Sequence, residues 1–253
     1  MSQLEMAKRF AKLHVKGEPL VLYNIWDAAT ARAVAKAGAK ALATGSASVA
    51  IAHGYDDGEH IPLELVETIA SRIVANIDLP FSLDFEGAYA SEPVGVKANA
   101  ARIIKTGAVG VNFEDQKVNG SGLYSCDEQC KRIAAFREAA DEAGVPFFIN
   151  ARTDLFLQEA DASKHSDLVE EAISRGQRYG EAGASGFFMP ALADTHMIEK
   201  ICRNVPLPVN AYMKQGMPEI SELAKLGVAR VSYGPTPFFK SMKELELSAR
   251  AIY

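Results

Sequence analysis

Short runs rich in Val, Ile, Leu and Phe alternate along the chain with longer stretches whose apolar residues recur at helical spacing. The first kind predicts buried strands and the second amphipathic helices. Eight strand-like runs stand out: Leu20–Trp26, Ala41–Ser46, Phe81–Glu86, Gly110–Asp115, Phe147–Thr153, Gly186–Ala191, Leu207–Tyr212 and Arg230–Gly234. The helices predicted after them, in order, are Ala28–Lys36, Leu63–Ala75, Val94–Thr106, Asp127–Ala143, Ser166–Glu181, Thr195–Arg203, Pro218–Leu226 and Pro237–Ala249. Several end in Ala/Gly turns (Gly38, Gly107, Gly144, Gly183, Gly227), where a glycine just past a helix supplies a left-handed stop. Regular alternation without a long unassigned gap predicts βα units. Eight of them favour a closed (β/α)8 TIM barrel over a doubly wound sheet. No G-x-G-x-x-G follows the first strand, which weakens the dinucleotide-fold alternative. The first seventeen residues predict an extra N-terminal helix that caps the barrel or packs on a partner. No Pro/Ser-rich linker interrupts the pattern, so 1–253 is expected to form a single barrel domain.

Composition narrows the function classes. The hydrophobic fraction is 48%, charged residues make up 23%, and the formal net charge is −5, which suits an ordinary globular chain. No Lys/Arg cluster is long enough to follow a phosphate backbone, and no apolar stretch is long enough to span a bilayer, so neither nucleic acid nor membrane is an expected partner. Three cysteines (Cys126, Cys130, Cys202) make no disulfide framework, and the N-terminal stretch lacks the apolar run of a signal peptide. A cytoplasmic protein is expected.

In a barrel the active site is built at the C-terminal ends of the strands, and here those ends are acidic. Strand three ends Asp84-Phe85-Glu86 and strand four ends Glu114-Asp115, while the loop after strand two carries Asp56-Asp57-Gly58-Glu59. Clustered carboxylates repel one another, and a hard divalent cation relieves that repulsion. The oxygen-only set points to Mg²⁺, with Mn²⁺ as the other admissible ion, and not to Zn²⁺. The same residues also fit solvated loops or salt-bridge pairs. Strand five ends Arg152-Thr153-Asp154, placing a guanidinium where it can clamp a substrate carboxylate or form a structural ion pair. Strand two ends in the small residues Gly45-Ser46-Ala47, whose backbone N–H groups can approach a ligand oxygen closely, although tight packing explains them equally.

Taken together, Trp26–Arg32, Gly45–Ala50, Gly54–Glu59, Asp84–Glu86, Gly110–Asp115, Asn150–Asp154, and Tyr179 with Ala182-Gly183-Ala184 resemble the isocitrate lyase / phosphoenolpyruvate mutase superfamily over nearly the whole chain. The resemblance implies a (β/α)8 barrel, Mg²⁺, 2-oxo or 2-hydroxy acid substrates, and chemistry at a C–C or P–C bond next to an enolate. By position it implies that Asp84 binds Mg²⁺ directly while Asp57, Glu86 and Glu114 hold metal-bound waters. Gly45, Ser46 and Ala47 would line the substrate, with backbone donors at Ser46 and Ala47. Arg152 would pair with a carboxylate or phosphonate, and Asn210 would contact the variable arm. Family members often exchange their last helices between subunits, so a homo-oligomer is expected, with little chain after the eighth helix to exchange.

The departures limit the transfer. The Lys-(Lys/Arg)-Cys-Gly-His loop of the isocitrate and methylisocitrate lyases is absent; the segment reads Gln116 to Cys126. Ser125 and Glu128 form an S-x-x-E capping box, which places Cys126 in the first turn of a helix, where its pKa can fall, but an unreactive helix-start cysteine is the expected reading and Cys126 does not replace the missing lyase Cys. Mutases have Asp, Ser and His where this chain has Glu86, Gly45 and Pro190, and lyases have Glu at the position of Ala191. Lys117-Val118-Asn119 matches a Lys-x-Asn of the mutase gating loop across a shortened loop, making Lys117 a second catalytic candidate beside Arg152. A Mg²⁺-dependent lyase or decarboxylase acting on a small oxaloacetate-like 2-oxo acid is therefore expected first. A phosphonopyruvate hydrolase or mutase-like enzyme comes second, and a non-catalytic 2-oxo-acid-binding protein third.

Overall fold

A computed structural model describes residues 1–118 and 120–253 of the chain. Asn119, the last residue of the Lys-x-Asn stretch, lies outside the described residues. Each predicted run contains a strand: β1 (Leu20–Leu22), β2 (Leu42–Ala43), β3 (Phe81–Asp84), β4 (Gly110–Glu114), β5 (Phe148–Arg152), β6 (Gly186–Phe188), β7 (Val209–Tyr212) and β8 (Arg230–Ser232). All pair in parallel, in the order β1-β8-β7-β6-β5-β4-β3-β2. A parallel bridge from Ile25 to Thr44 completes the ring, with the Ile25 N–H donating to Ala43 O at 2.9 Å. The fold is the expected (β/α)8 barrel.

The helices are α1 (Gln3–Lys12), α2 (Ala28–Lys36), α3 (Ser46–Ala52), α4 (Leu63–Val74), α5 (Pro93–Lys105), α6 (Cys126–Glu142), α7 (Leu155–Gln158), α8 (His165–Glu181), α9 (Thr195–Asn204), α10 (Ile220–Lys225) and α11 (Thr236–Arg250). Asp27, Ser125 and Asp194 cap α2, α6 and α9 with their side chains, so these helices start where the sequence places an oxygen-bearing residue. The five glycines at the predicted stops all have positive φ, between 67° and 104°. α3 and α7 extend the pattern read from the sequence. Ser46 opens α3 and does not continue the second strand: Gly45, still extended, is the N-cap, and Ser48, Val49 and Ala50 of the helix are buried.

α1 plugs the N-terminal end of the barrel. Gln3 Nε2 donates to Ile104 O at 2.7 Å and to Ala108 O at 2.8 Å, while Lys16 Nζ reaches Cys202 O and Val205 O at 3.2 and 3.0 Å. Phe10 is fully buried over Gly110, where a Cβ would come within 2.8 Å of its ring. The mouth at the opposite end is left as the open one. At the other extreme of the chain, α11 buries only Pro237 and Phe238, leaving Phe239, Leu245 and Leu247 more than half exposed. Val21 and Tyr23 of the first βα unit remain 39% and 42% exposed in a groove of about 620 Å³ between α2 and α10. No described helix is long and apolar enough to cross a membrane.

Candidate active site

The barrel mouth draws together most of the residues singled out from the sequence. Asp84, ending β3, accepts from Ser46 N at 3.0 Å through Oδ2 and from Asn112 Nδ2 at 3.2 Å through Oδ1. The first N–H of α3 is thus spent on orienting a carboxylate. Ala47 follows in the same first turn, where N–H groups lack an intrahelical acceptor. Gly45 packs against Gly234, whose carbonyl would lie 3.4 Å from a Cβ at position 45.

Glu86 lies just past β3, and its carboxylate is committed to holding a loop: Oε1 accepts from Gly58 N at 2.8 Å and Glu59 N at 2.9 Å. In return Glu59 Oε1 accepts from Tyr89 N at 2.7 Å. This reciprocal latch ties the loop carrying Asp57 to the loop after β3. Glu86, Ala88, Tyr89 and Glu59 all have φ between 49° and 66°, the left-handed region that non-glycine residues avoid. The strain persists because the carbonyls are pinned. Glu114 N holds Glu86 O, Arg132 Nη2 holds Gly87 O and Ala90 O, and Asn99 Nδ2 holds Ala88 O and Tyr89 O.

Arg152, ending β5, donates to Asp154 through Nε at 2.5 Å and Nη2 at 2.9 Å, and its Nη1 pairs with Glu114 Oε2 at 2.8 Å. Of the two readings of Arg152, the structural ion pair is the one the geometry shows. Asp154 is in turn held from its backbone by Asp115 Oδ1 at 3.0 Å, while Asp115 Oδ2 takes Tyr179 Oη at 2.8 Å and Arg175 Nη1 at 3.0 Å.

The electrostatics show an excess of negative charge. Burial raises Glu86 to about 8, helped by the carboxylates of Asp57 and Asp84. Burial and then Asp84 raise Asp57, against a hydrogen bond from Ser46. Burial raises Glu114 as well, with Arg152 pulling the other way. Burial opposes the charge on Arg152, but Glu114 and Asp154 outweigh it and hold the guanidinium ionised. Protons are one remedy for such crowding and a divalent cation is the other. The donor set fits Mg²⁺: every donor is an oxygen. No three acidic, His or Cys side chains among the described residues form a ready-made cage. A cation that keeps several of its own waters needs only one or two direct carboxylates.

Two candidates stand apart from this cluster. Asn210 lies inside the barrel, fully buried, accepting from Asn150 Nδ2 at 3.1 Å and donating to Ser232 Oγ at 3.1 Å. Lys117 sits over the Tyr124 ring, 5.4 Å from its centre, and lines a cavity of about 720 Å³ with Glu59, Tyr89 and Arg132; neither Asp84 nor Arg152 lines it. Cys126 follows the capping box as expected, but burial raises its thiol pKa, so the helix start does not make it a thiolate. Glu59, Asn112, Asp154 and Arg132 are working residues that the sequence reading did not nominate. Glu59 and Asp154 stand in stretches singled out from the sequence without a role of their own, and Arg132 leaves a trace as a charge on the buried face of α6 beside Ile133, Phe136 and Ala139.

A sequence model of the phosphoenolpyruvate phosphomutase family matches residues 10–253. The chain belongs to this family. It is 31% identical over 243 residues to an uncharacterised protein of Mycobacterium tuberculosis, covering 96% of this chain and 88% of that one. It is 26% identical to the 2-methylisocitrate lyase of Bacillus subtilis, covering 95% and 72%, and 27% identical to the oxaloacetate decarboxylase of Pseudomonas entomophila, covering 92% and 80%. Among solved structures, a putative phosphonomutase from Burkholderia cenocepacia superposes with a TM-score of 0.97 at 42% identity, over 100% of both chains. The family places the chain among lyases and mutases that act on C–C or P–C bonds.

Proposed function

We propose that the protein is a Mg²⁺-dependent lyase or decarboxylase that breaks a C–C bond in a small, oxaloacetate-like 2-oxo acid, leaving an enolate on the substrate. The observation that carries this reading is the meeting of Asp57, Asp84, Glu86 and Glu114 with Arg152 at one barrel mouth. Asp84 would hold Mg²⁺ directly, with Asp57, Glu86 and Glu114 around it. The ion would supply Lewis acidity toward the 2-oxo and carboxylate oxygens. The chain's own residues do the rest. Ser46 N and Asn112 Nδ2 fix the direction of Asp84. Ala47 N offers a donor to a substrate oxygen, and Arg152, held flat by Asp154, grips a carboxylate with its remaining N–H groups. The oxaloacetate decarboxylase among the relatives favours the same reading. P–C chemistry would call on Lys117 for the additional charge of a phosphonate, and Lys117 faces the neighbouring cavity.

The test is pyruvate release from oxaloacetate, substituted malates and phosphonopyruvate, with Mg²⁺ and after chelation. Oxaloacetate turnover that stops on chelation and is lost in Asp84→Ala but kept in Cys126→Ser is the expected result. Faster phosphate release from phosphonopyruvate would replace this reading with the P–C one. Oxo-acid binding without turnover of any of these would leave a binding protein.

A further inference from the structure

Barrel interiors are usually filled by layers of branched apolar side chains. The middle of this one holds Asn112, Asn150, Asn210, Arg230 and Ser232, all buried. One chain of their hydrogen bonds runs toward Asp84. Arg230 Nη2 donates to Asn112 Oδ1 at 3.1 Å, Asn150 Nδ2 donates to the same oxygen at 2.9 Å, and Asn112 Nδ2 then donates to Asp84 Oδ1 at 3.2 Å. Gly186 makes room for this layer, since a Cβ there would come within 2.7 Å of Asn150 Oδ1.

An asparagine amide can present either end to a neighbour, and only its partners decide which. Arg230 has donors only, so an amide oxygen must face it. An ionised Asp84 has acceptors only, so an amide N–H must face that. Asn112 satisfies both in one orientation alone. Asn150 supports the same orientation, because Asn210 Nδ2 faces Ala211 O at 2.7 Å and so turns its oxygen toward Asn150 Nδ2; the charged donor of the layer is Arg230.

We propose that Arg230 is a positioning residue for the metal site: by holding the Asn112 amide oxygen it presents Asp84 with an N–H and not a carbonyl oxygen. This rests on Asp84 being the metal ligand. Arg230 is a costly residue to keep here. It is 1% exposed, Nε and Nη1 have no hydrogen-bond partner among the described residues, and burial pushes its guanidinium down to about 9 with only Asp84 opposing. At neutral pH it still carries its charge, and a charge of that sign repels an incoming cation. Orientation and charge therefore act on metal binding with opposite signs, which makes them separable.

The experiment titrates Mn²⁺ alone into the full chain, following free Mn²⁺ by electron paramagnetic resonance, with thermal melting as the fold control. Arg230→Met removes the donor and the charge at similar length, and is expected to weaken Mn²⁺ binding by about tenfold or more, the scale of a lost charged hydrogen bond. Arg230→Lys keeps a donor-only group and is expected to stay within about threefold. Equal or tighter Mn²⁺ binding by a folded Arg230→Met overturns the proposal, since removing charge alone would tighten it. If Arg230→Met fails to fold, Asn112→Leu breaks the same link with Arg230 in place; the same loss is expected, and unchanged affinity overturns the proposal. A wild-type chain that binds no Mn²⁺ overturns the metal reading and this inference together, whereas the variant outcomes bear on the inference alone.

Discussion

At His14 two constraints act on one ring: Nδ1 donates to Phe10 O at 2.9 Å, and the imidazole stacks 3.9 Å from the Phe148 ring centre. Burial, then the Arg230 charge, lowers its pKa to about 3 against the pull of the Phe10 carbonyl. Between about 6.5 and 3 the unfolded chain therefore binds a proton that the folded chain refuses. Stability rises with pH through that window and is lost as pH falls through it, by up to about 1.4 kcal/mol per unit. Chemical denaturation at pH 6.5 and 5 should show about 2 kcal/mol less stability at the lower pH, relative to the same pair of measurements on His14→Phe. The variant is the right reference because Glu86, whose pKa is raised, acts with the opposite sign. A parallel response of the two proteins would show that His14 titrates freely. At the mouth, Arg152→Ala should lower oxaloacetate kcat/KM by about 100-fold or more, because it releases the substrate carboxylate and leaves Asp154 and Glu114 unpaired. Lys117→Ala should cost less than about tenfold, the scale of a surface charge beside the site. Steady-state kinetics on both variants decide between them.

Among the elements, the two loops joined by Glu59 and Glu86 carry the most strain and the most bracing. Glu59→Ala removes the acceptor for Tyr89 N and should weaken Mg²⁺ binding by about 5- to 100-fold, whereas Glu59→Gln keeps an acceptor and should change it little. Calorimetric titration checks both, and a Glu59→Ala chain with wild-type affinity would show that Asp57 is placed without the latch. These loops also mark where sequence stops being legible. The eight strands were readable because a parallel barrel buries both faces of nearly every strand, β1 with its exposed Val21 being the exception, so they appear as continuous apolar runs. The runs overshoot where Phe85 and Glu86 continue the apolar-acidic pattern although Glu86 has already turned to φ 49°. The seven residues of α3 are too short for a helical period to declare itself. The carboxylates proposed to hold the metal were visible as acidic strand ends and, for Asp57, as an acidic loop. Glu59, Asn112 and Asp154 were not assigned, because their partners, Tyr89 N, Arg230 and Arg152, are chosen by loop closure and strand register.

For the whole molecule, the uncovered flank of the first βα unit and the projecting last helix belong to one problem. A barrel helix normally lies against the strands it connects, yet α11 leaves Phe239, Leu245 and Leu247 to solvent while Val21 and Tyr23 line an open groove. Reciprocal insertion of α11 from a second copy would cover both surfaces at once, in the self-complementary geometry of a two-fold dimer. We propose such a homo-oligomer. Sedimentation should give at least a dimer, and Leu245→Glu with Leu247→Glu should shift it toward monomer; a wild-type monomer at micromolar concentration would refute it. The opposite end of the chain bears on how the protein is made. The seat of α1 is assembled from the Ile104 and Ala108 carbonyls, the carbonyls of Cys202 and Val205, and Val228 O, which receives Gly17 N at 3.2 Å. At roughly 5–20 residues per second, the ribosome needs on the order of 10–40 s after residue 17 emerges before the last of these groups follows. Throughout that interval the seat of this helix is incomplete, so its apolar side, Phe10 included, is a stretch of the nascent chain that a chaperone would shelter.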